Sequence, residues 1–304
     1  MMTYSHTTFR SALGVVAVLL SACGEPELLI SNDAYESRIV VEGVLVPGQA
    51  VDNIRITRNV RLEQNLRRTP LTLRDAQVSV VDEGNGKRYV LRYHEGSLFT
   101  DQYFEYTGKD LQIEYGGTYT LEVDAEIESR SLSTRATTTV PERGFEIIEL
   151  SHPTTTYRPT GSDGEIEDIT IDIERSPGTR FYLLTIRPLL ASQLNFIYGN
   201  PFVDESRGGV NLDDFDYEWE WLQNTPAEAG RSLMRVFWWD VWFYSRYEII
   251  IFAADGNYAS FIQTFDDVQE DDGNFHAPVF RLEGDGIGYF GSAVTDTVML
   301  EITQ

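Results

Sequence analysis

From residue 38 onward, apolar side chains recur at every second position in short runs. Arg38-Ile39-Val40-Val41-Glu42-Gly43-Val44 is β-branched and stops near Pro47-Gly48, while Asn53–Arg58 and Ala76–Val81 alternate apolar with polar. That period of two, bounded by turn residues, predicts strands with one face in a core. Asn85-Gly86 supplies the positive φ of a type I′ turn and returns the chain into Arg88–Tyr93. Gly117–Val123 and Thr134–Val140 complete the series, closed by Pro141, and Arg61–Arg74 interrupts it as a longer loop with four arginines. Six or seven short strands without a helical period predict an immunoglobulin-like β-sandwich over residues 38–143.

Beyond Gly144 the runs grow less regular. Phe145–Leu150, Ile166–Ile173, Phe181–Arg187 and Tyr247–Phe252 read as strands, and Val279–Leu282 with Thr297–Ile302 would close the fold around a glycine-rich turn. Tyr258, Phe261, Ile262 and Phe265 fall at i, i+3, i+4 and i+7, which predicts a helix over Asn257–Val268 with Asn257 as its N-cap. The expected class is therefore mainly β: an N-terminal immunoglobulin-like sandwich and, over 144–304, a C-terminal antiparallel β domain with one short helix. Leu189–Arg231 is a long irregular segment, and such segments are more often functional than idle.

The first residues have a different pattern. Arg10 precedes an apolar run, Ala12–Leu20, that is too short to span a bilayer, and Leu20-Ser21-Ala22-Cys23 follows it. A basic start, a short apolar run and a small-residue cut make a secretory signal. The last four residues resemble the lipobox of bacterial lipoproteins, which implies a signal peptide over 1–22 and lipidation of Cys23. Residues 23–37 then form an acylated linker, polar and broken by Pro26, able to reach about 50 Å. Glu25 and Glu27 resemble a weak form of the acidic export tag of surface lipoproteins.

Charge narrows the partners further. The chain has 48 acidic and 24 basic residues, a net charge of −24, and only Lys87 and Lys109 as lysines. Such a body is repelled by nucleic acid and by anionic lipid head groups, so no nucleic-acid partner is expected and the membrane is reached through the anchor. Cys23 is the only cysteine, which excludes an intramolecular disulfide. His94, His152 and His276 are too scattered for a zinc site. The run Asp266–Gly273 departs from the calcium-loop order. Gly286-x-Gly288-x-x-Gly291 fits the dinucleotide fingerprint as a string, but the text after it is strand-like. A tight turn or bulge is the expectation there, and no cofactor is expected.

All five tryptophans fall at 219, 221, 238, 239 and 242, and Phe237, Phe243, Tyr244 and Tyr247 join them. Large rings with polar edges suit a partner, a sugar or a flat apolar ligand, and equally suit a core. Read as one strand, Trp238, Asp240 and Trp242 share the face with a charge and should be the more exposed. Trp239, Val241 and Phe243 then face the core. The candidate contact residues are Trp238, Trp242, Trp219, Trp221 and Tyr244.

Several of these motifs also carry a family resemblance. Ile39–Gly43, Ile54–Arg58, Gly117–Leu121, Ala136–Pro141 and Glu283–Gly291 look, in that order, like the Bacteroidota lipoprotein family catalogued as domain of unknown function 4249. The tryptophan-rich stretch departs from that pattern. The resemblance implies a cell-envelope lipoprotein of two β domains, in families often found beside TonB-dependent outer-membrane transporters, and it implies no activity; the location expected here is the outer membrane. The expected function is a non-enzymatic binding or accessory subunit to such a transporter. The rivals are an envelope glycan hydrolase using paired carboxylates and a structural or assembly factor.

Overall fold

The computed structural model describes residues 35–61, 64, 70–96, 102–157, 169–200, 212, 219–269 and 278–304, with backbone only for Trp219 and residues 266–269. Residues 1–22, expected to be a signal peptide, lie outside the described residues with Cys23, Glu25 and Glu27, as do Ile166 and residues 270–273 of the acidic run Asp266–Gly273. Ser37–Gln304 forms one compact unit. It is mainly β, with a single described α-helix.

Two hydrophobic cores meet along one long strand. The first lies under a six-stranded sheet built from β3 (Gln77–Asp82), β4 (Lys87–His94), β5 (Tyr103–Glu105), β6 (Thr118–Ile127), β7 (Arg130–Thr139) and the two-residue β15 (Glu283–Gly284), in the order β15-β7-β6-β3-β4-β5. Facing it are β1 (Ile39–Leu45) and β2 (Arg55–Arg58). Ile39, Val41, Ile54, Ile56, Val78, Val80, Leu121 and Phe290 fill the space between. Alternating burial along β1 and β7 matches the alternation of their sequences, as a half-buried pleated strand requires.

The second core lies under a three-stranded sheet, β13-β10-β8, made of β8 (Glu146–Leu150), β10 (Ile169–Arg175) and β13 (Gly230–Val236). Ile169, Ile171 and Ile173 point from it toward Tyr182, Leu184 and Ile186 of β11 (Phe181–Pro188) and Ile249 and Ile251 of β14 (Arg246–Ala254). Those strands, with β12 (Trp219–Asn224) at the edge, belong to a seven-stranded sheet in the order β12-β11-β14-β16-β1-β2. Its spine is β16 (Gly286–Thr303), which also carries the short β9 (Thr154–Thr156) in parallel.

At the boundary expected at 143/144 the chain leaves the first core and the six-stranded sheet, at β7, for the second core and the three-stranded sheet, at β8, but the seven-stranded sheet takes strands from both sides of it. β1 pairs in parallel with the first part of β16, Ile39 opposite Gly286 through Leu45 opposite Ser292, while β14 pairs antiparallel with the remainder. Short strands at Val279–Leu282 and Thr297–Ile302 were the expectation. Instead Glu283–Gly284 is a minimal strand, and β16 runs unbroken through the glycine-rich segment. Parallel pairing brings the two backbones so close that a Cβ at Gly288 would overlap the Val41 carbonyl oxygen, and Gly288 has φ +98°. Gly288 thus serves backbone approach within a strand, while Gly286 makes room for the Thr134 side chain and Gly291 for the helix start at Asp255 and Tyr258.

The helix, α1 (Gly256–Gln269), packs on the outer face of the seven-stranded sheet through Tyr258, Ala259 and Ile262. It starts one residue earlier than its hydrophobic period implies, because Asp255, and not Asn257, is the cap. The Asp255 carboxylate accepts hydrogen bonds from the Tyr258 N–H (3.0 Å), the Asn257 N–H (3.2 Å), the Ser292 N–H (3.1 Å) and the Thr138 hydroxyl (2.9 Å). Burial raises its pKa, and these four donors oppose that rise. One side chain thereby fixes α1, β16 and β7 together.

At the tip of the β6–β7 hairpin, Glu128 and Ser129 have φ of 52° and 64°. This is the two-residue turn geometry that glycine or asparagine would favour. Glu128 is held by Arg58 (2.5 Å) and accepts a hydrogen bond from the Ser37 hydroxyl (3.4 Å), so the turn sits where the chain enters the folded body.

Candidate functional site

The site grows out of the end of β13. After Val236 the chain makes a 3-10 turn at Trp238–Asp240, crosses a short loop and enters β14 at Arg246. Val241 and Phe243 are buried as the sequence pattern implies. Their loop is clamped by Tyr247, whose hydroxyl accepts the Phe243 N–H (2.8 Å) and donates to the Phe243 carbonyl (2.9 Å). Burial pushes the phenol pKa of Tyr247 up. The same device recurs: the Tyr182 hydroxyl accepts the Ser176 N–H (2.8 Å). The Tyr119 hydroxyl accepts the Glu114 N–H (2.9 Å) and donates to the Gln112 carbonyl (3.1 Å). Three buried tyrosines each pin one irregular segment whose backbone groups need partners.

The two neighbouring tryptophans have exchanged the places expected of them. Trp238 is 6% exposed and Trp239 42%. A strand would alternate its faces with period two, whereas a 3-10 turn has three residues per turn and turns Trp238 inward. The Trp238 ring packs edge-on against Tyr157 at 5.7 Å, and Tyr157 in turn meets Tyr244 at 6.4 Å. Trp239 lies flat on Phe237, with centroids 4.6 Å apart and planes 8° from parallel, and Phe237 meets the edge of Trp221 at 6.3 Å. Trp242 is half-buried and stacks on Phe196 at 6.4 Å. The side chain of Trp219 lies outside the described residues. Trp238→Ala should therefore cost about 3–5 kcal/mol, and Trp239→Ala less than about 1 kcal/mol. Chemical denaturation of the two variants checks this.

The second half of the site is the segment 188–200, the start of the long irregular stretch flagged from sequence, although sequence reasoning missed its pairing with the tryptophans. It runs antiparallel beside the aromatic stretch. The Leu189 N–H donates to the Arg246 carbonyl (2.8 Å), the Tyr244 N–H to the Asn195 carbonyl (2.7 Å) and the Ile197 N–H to the Trp242 carbonyl (2.8 Å). The Asn195 side-chain amide bridges the Leu190 and Tyr244 carbonyls at 2.8 and 2.9 Å, and that of Asn200 reaches the Trp239 and Val241 carbonyls at 3.2 and 3.3 Å. Phe196 is buried beneath, while Leu189, Leu190 and Tyr198 stand exposed and Leu194 is 97% exposed. A readable signal was present. Pro188–Asn200 contains no charged residue in a chain where 24% of residues are charged.

Trp239 and these leucines stand exposed on the two hydrogen-bonded segments of one apolar ledge, 237–245 and 188–200, whose sole carboxylate is Asp240. Burial pushes the Asp240 pKa up to about 6. A folded-state pKa above that of the unfolded chain favours folding fully below pH ~4, and the contribution is lost as pH rises through about 6. Asp240→Asn should be more stable than wild type at pH 7, by about 1 kcal/mol after solvent screening, with a correspondingly higher melting temperature, and should match wild type near pH 4. Paired thermal melts across that range test the sign.

Two other concavities bring carboxylates together. One of about 710 Å³ beside the Asn85-Gly86 turn is lined by Asp82, Glu83, Asp110, Glu114 and Tyr119. Hydrogen bonds from Lys87 and Tyr106 hold the Asp110 carboxyl down at about 2. A second of about 510 Å³ brings Glu142 and Asp255 to one cleft, where Asp255 is already the helix cap. Among the described residues no group of three or more His, Cys, Asp or Glu side chains is placed to hold a metal ion.

No curated protein matches the chain. The order of strand motifs and the glycine-aromatic segment that now forms β16 agree with a family model described as "Domain of unknown function (DUF4249)", which matches residues 27–297. The chain belongs to that family.

Proposed function

We propose that this protein is a lipid-anchored envelope protein that works by binding, as an accessory subunit to a TonB-dependent outer-membrane transporter. The observation that carries the reading is the stack Trp221–Phe237–Trp239, whose outer ring lies flat and exposed beside a charge-free segment. Exposed tryptophan on a rigid base loses little conformational entropy on contact and is typical of residues that dominate interfaces. The anchor reading rests on Leu20-Ser21-Ala22-Cys23. In this reading acylation at Cys23 supplies the attachment, and among the described residues no helix is long and apolar enough to cross a membrane.

A photo-crosslinking amino acid at position 239 in intact cells should join the protein to a transporter identified by mass spectrometry, and the same probe at Lys109 should not. Equal labelling from both positions, or capture of abundant envelope proteins alone, would remove the partner assignment. Loss of membrane association in Cys23→Ser is the companion test of the anchor.

A further inference from the structure

We propose that the leucine-rich half of the ledge is a second membrane contact, seated in the lipid interface while Trp239 faces the protein partner. The inference rests on the lipid-anchored reading above. Leu189, Leu190 and Leu194 project from a segment that is charge-free from residue 188 to 200, and Leu194 has almost no protein around it. Tyr198, four residues after Leu194, is exposed as well and rests edge-on against the buried Phe196 at 5.2 Å. Exposed aliphatic side chains joined by an amphipathic ring, with no charge among them, are the composition that a lipid interface selects. Charge points the same way. A body with net charge −24 is repelled by anionic head groups, and this charge-free segment is suited to meet a neutral lipid surface.

The geometry of β16 adds a consequence. The chain enters the body at Ser37, and Ile39 opposite Gly286 places that entry at the start of β16. The ledge joins the other end, where the Ile302 N–H donates to the Ser245 carbonyl (2.9 Å) and Arg246 lies opposite Glu301. Eighteen strand residues extend about 60 Å. The segment from Cys23 to Ser37 reaches about 50 Å at most. With about 50 Å of linker against about 60 Å of strand, anchor and ledge can touch one bilayer only if β16 is tilted well away from the membrane normal, so the body leans and does not stand upright on the ledge. A transporter embedded in the same bilayer would then be met sideways by Trp239.

The test uses the full acylated chain in phosphatidylcholine vesicles, with Leu194→Cys carrying a nitroxide and Lys109→Cys as the water-facing control. Acylation occupies the thiol of Cys23, so each label is single. Flotation should recover both labelled proteins with the vesicles. The ratio of collisions with oxygen, which concentrates in lipid, to collisions with a water-soluble nickel complex should be several-fold higher at 194 than at 109. Equal ratios on floated protein overturn the lipid contact and leave the anchor standing, whereas failure to float overturns both. A label at 194 that is shielded from both reagents in the transporter complex, and water-exposed without it, assigns the leucines to protein and overturns the proposal.

Discussion

Gly288→Ala is expected to destabilise the protein by about 4 kcal/mol or more, enough to lose most of the folded population at 37 °C. Two effects add. The residue has φ +98°, where an L side chain costs about 1–3 kcal/mol. The added methyl also meets the Val41 backbone, which cannot swing away as a side-chain end could, because Val41 is itself paired with Ile56 on its other side. Gly291→Ala should be similar in kind, since its Cβ would lie 2.6 Å from the Tyr258 Cβ and 2.7 Å from the Asp255 Oδ1 atom at the helix cap. Gly86→Ala, with φ +70° but open space around it, supplies the comparison: strain alone, at about 1 kcal/mol. Urea titrations of the three variants should rank them in that order. A mild Gly288→Ala would mean that β1 and β16 can separate without loss of the fold.

The second large effect concerns the body as a unit. A fragment of residues 38–143 should lack a cooperative melt. It keeps the six-stranded sheet apart from β15, but loses the seven-residue parallel pairing of β1 with β16 and the buried Phe290. What remains opposite that sheet is β1 with β2, paired over four residues, and an isolated two-stranded ribbon is marginal in water. The apolar face under β3, β6 and β7 would then lie half uncovered. The whole body, residues 37–304, should melt cooperatively by near-ultraviolet circular dichroism, while the fragment should show at most broad β signal and aggregation. A sharp transition in the fragment would show that the first core closes without β16.

Much of the first core was legible along the chain. Period-two runs at Ile39–Val44, Ala76–Val81 and Arg88–Tyr93, and the turn at Asn85-Gly86, depend on residue-by-residue pleating and on local φ requirements. Such information is complete within each segment. The helix period was legible for the same reason, whereas its cap was not. Asp255 is chosen by donors from Ser292 and Thr138 that are remote in sequence.

Class, the Leu20–Cys23 motif and the charge-poor stretch are thus matters of sequence, because each is a property of neighbours along the chain. Pairing between β1 and β16, the merger of two expected halves along one strand and the faces of the tryptophans belong to tertiary structure. A single 3-10 turn, fixed by Phe243, Tyr247 and the bonds from Asn195 and Asn200, reversed Trp238 and Trp239. The same bonds laid Pro188–Asn200 beside residues almost fifty positions later and made one ledge of two segments. Side-chain alternation can be read only where the backbone period is known, and in an irregular segment that period is set by partners from elsewhere in the fold.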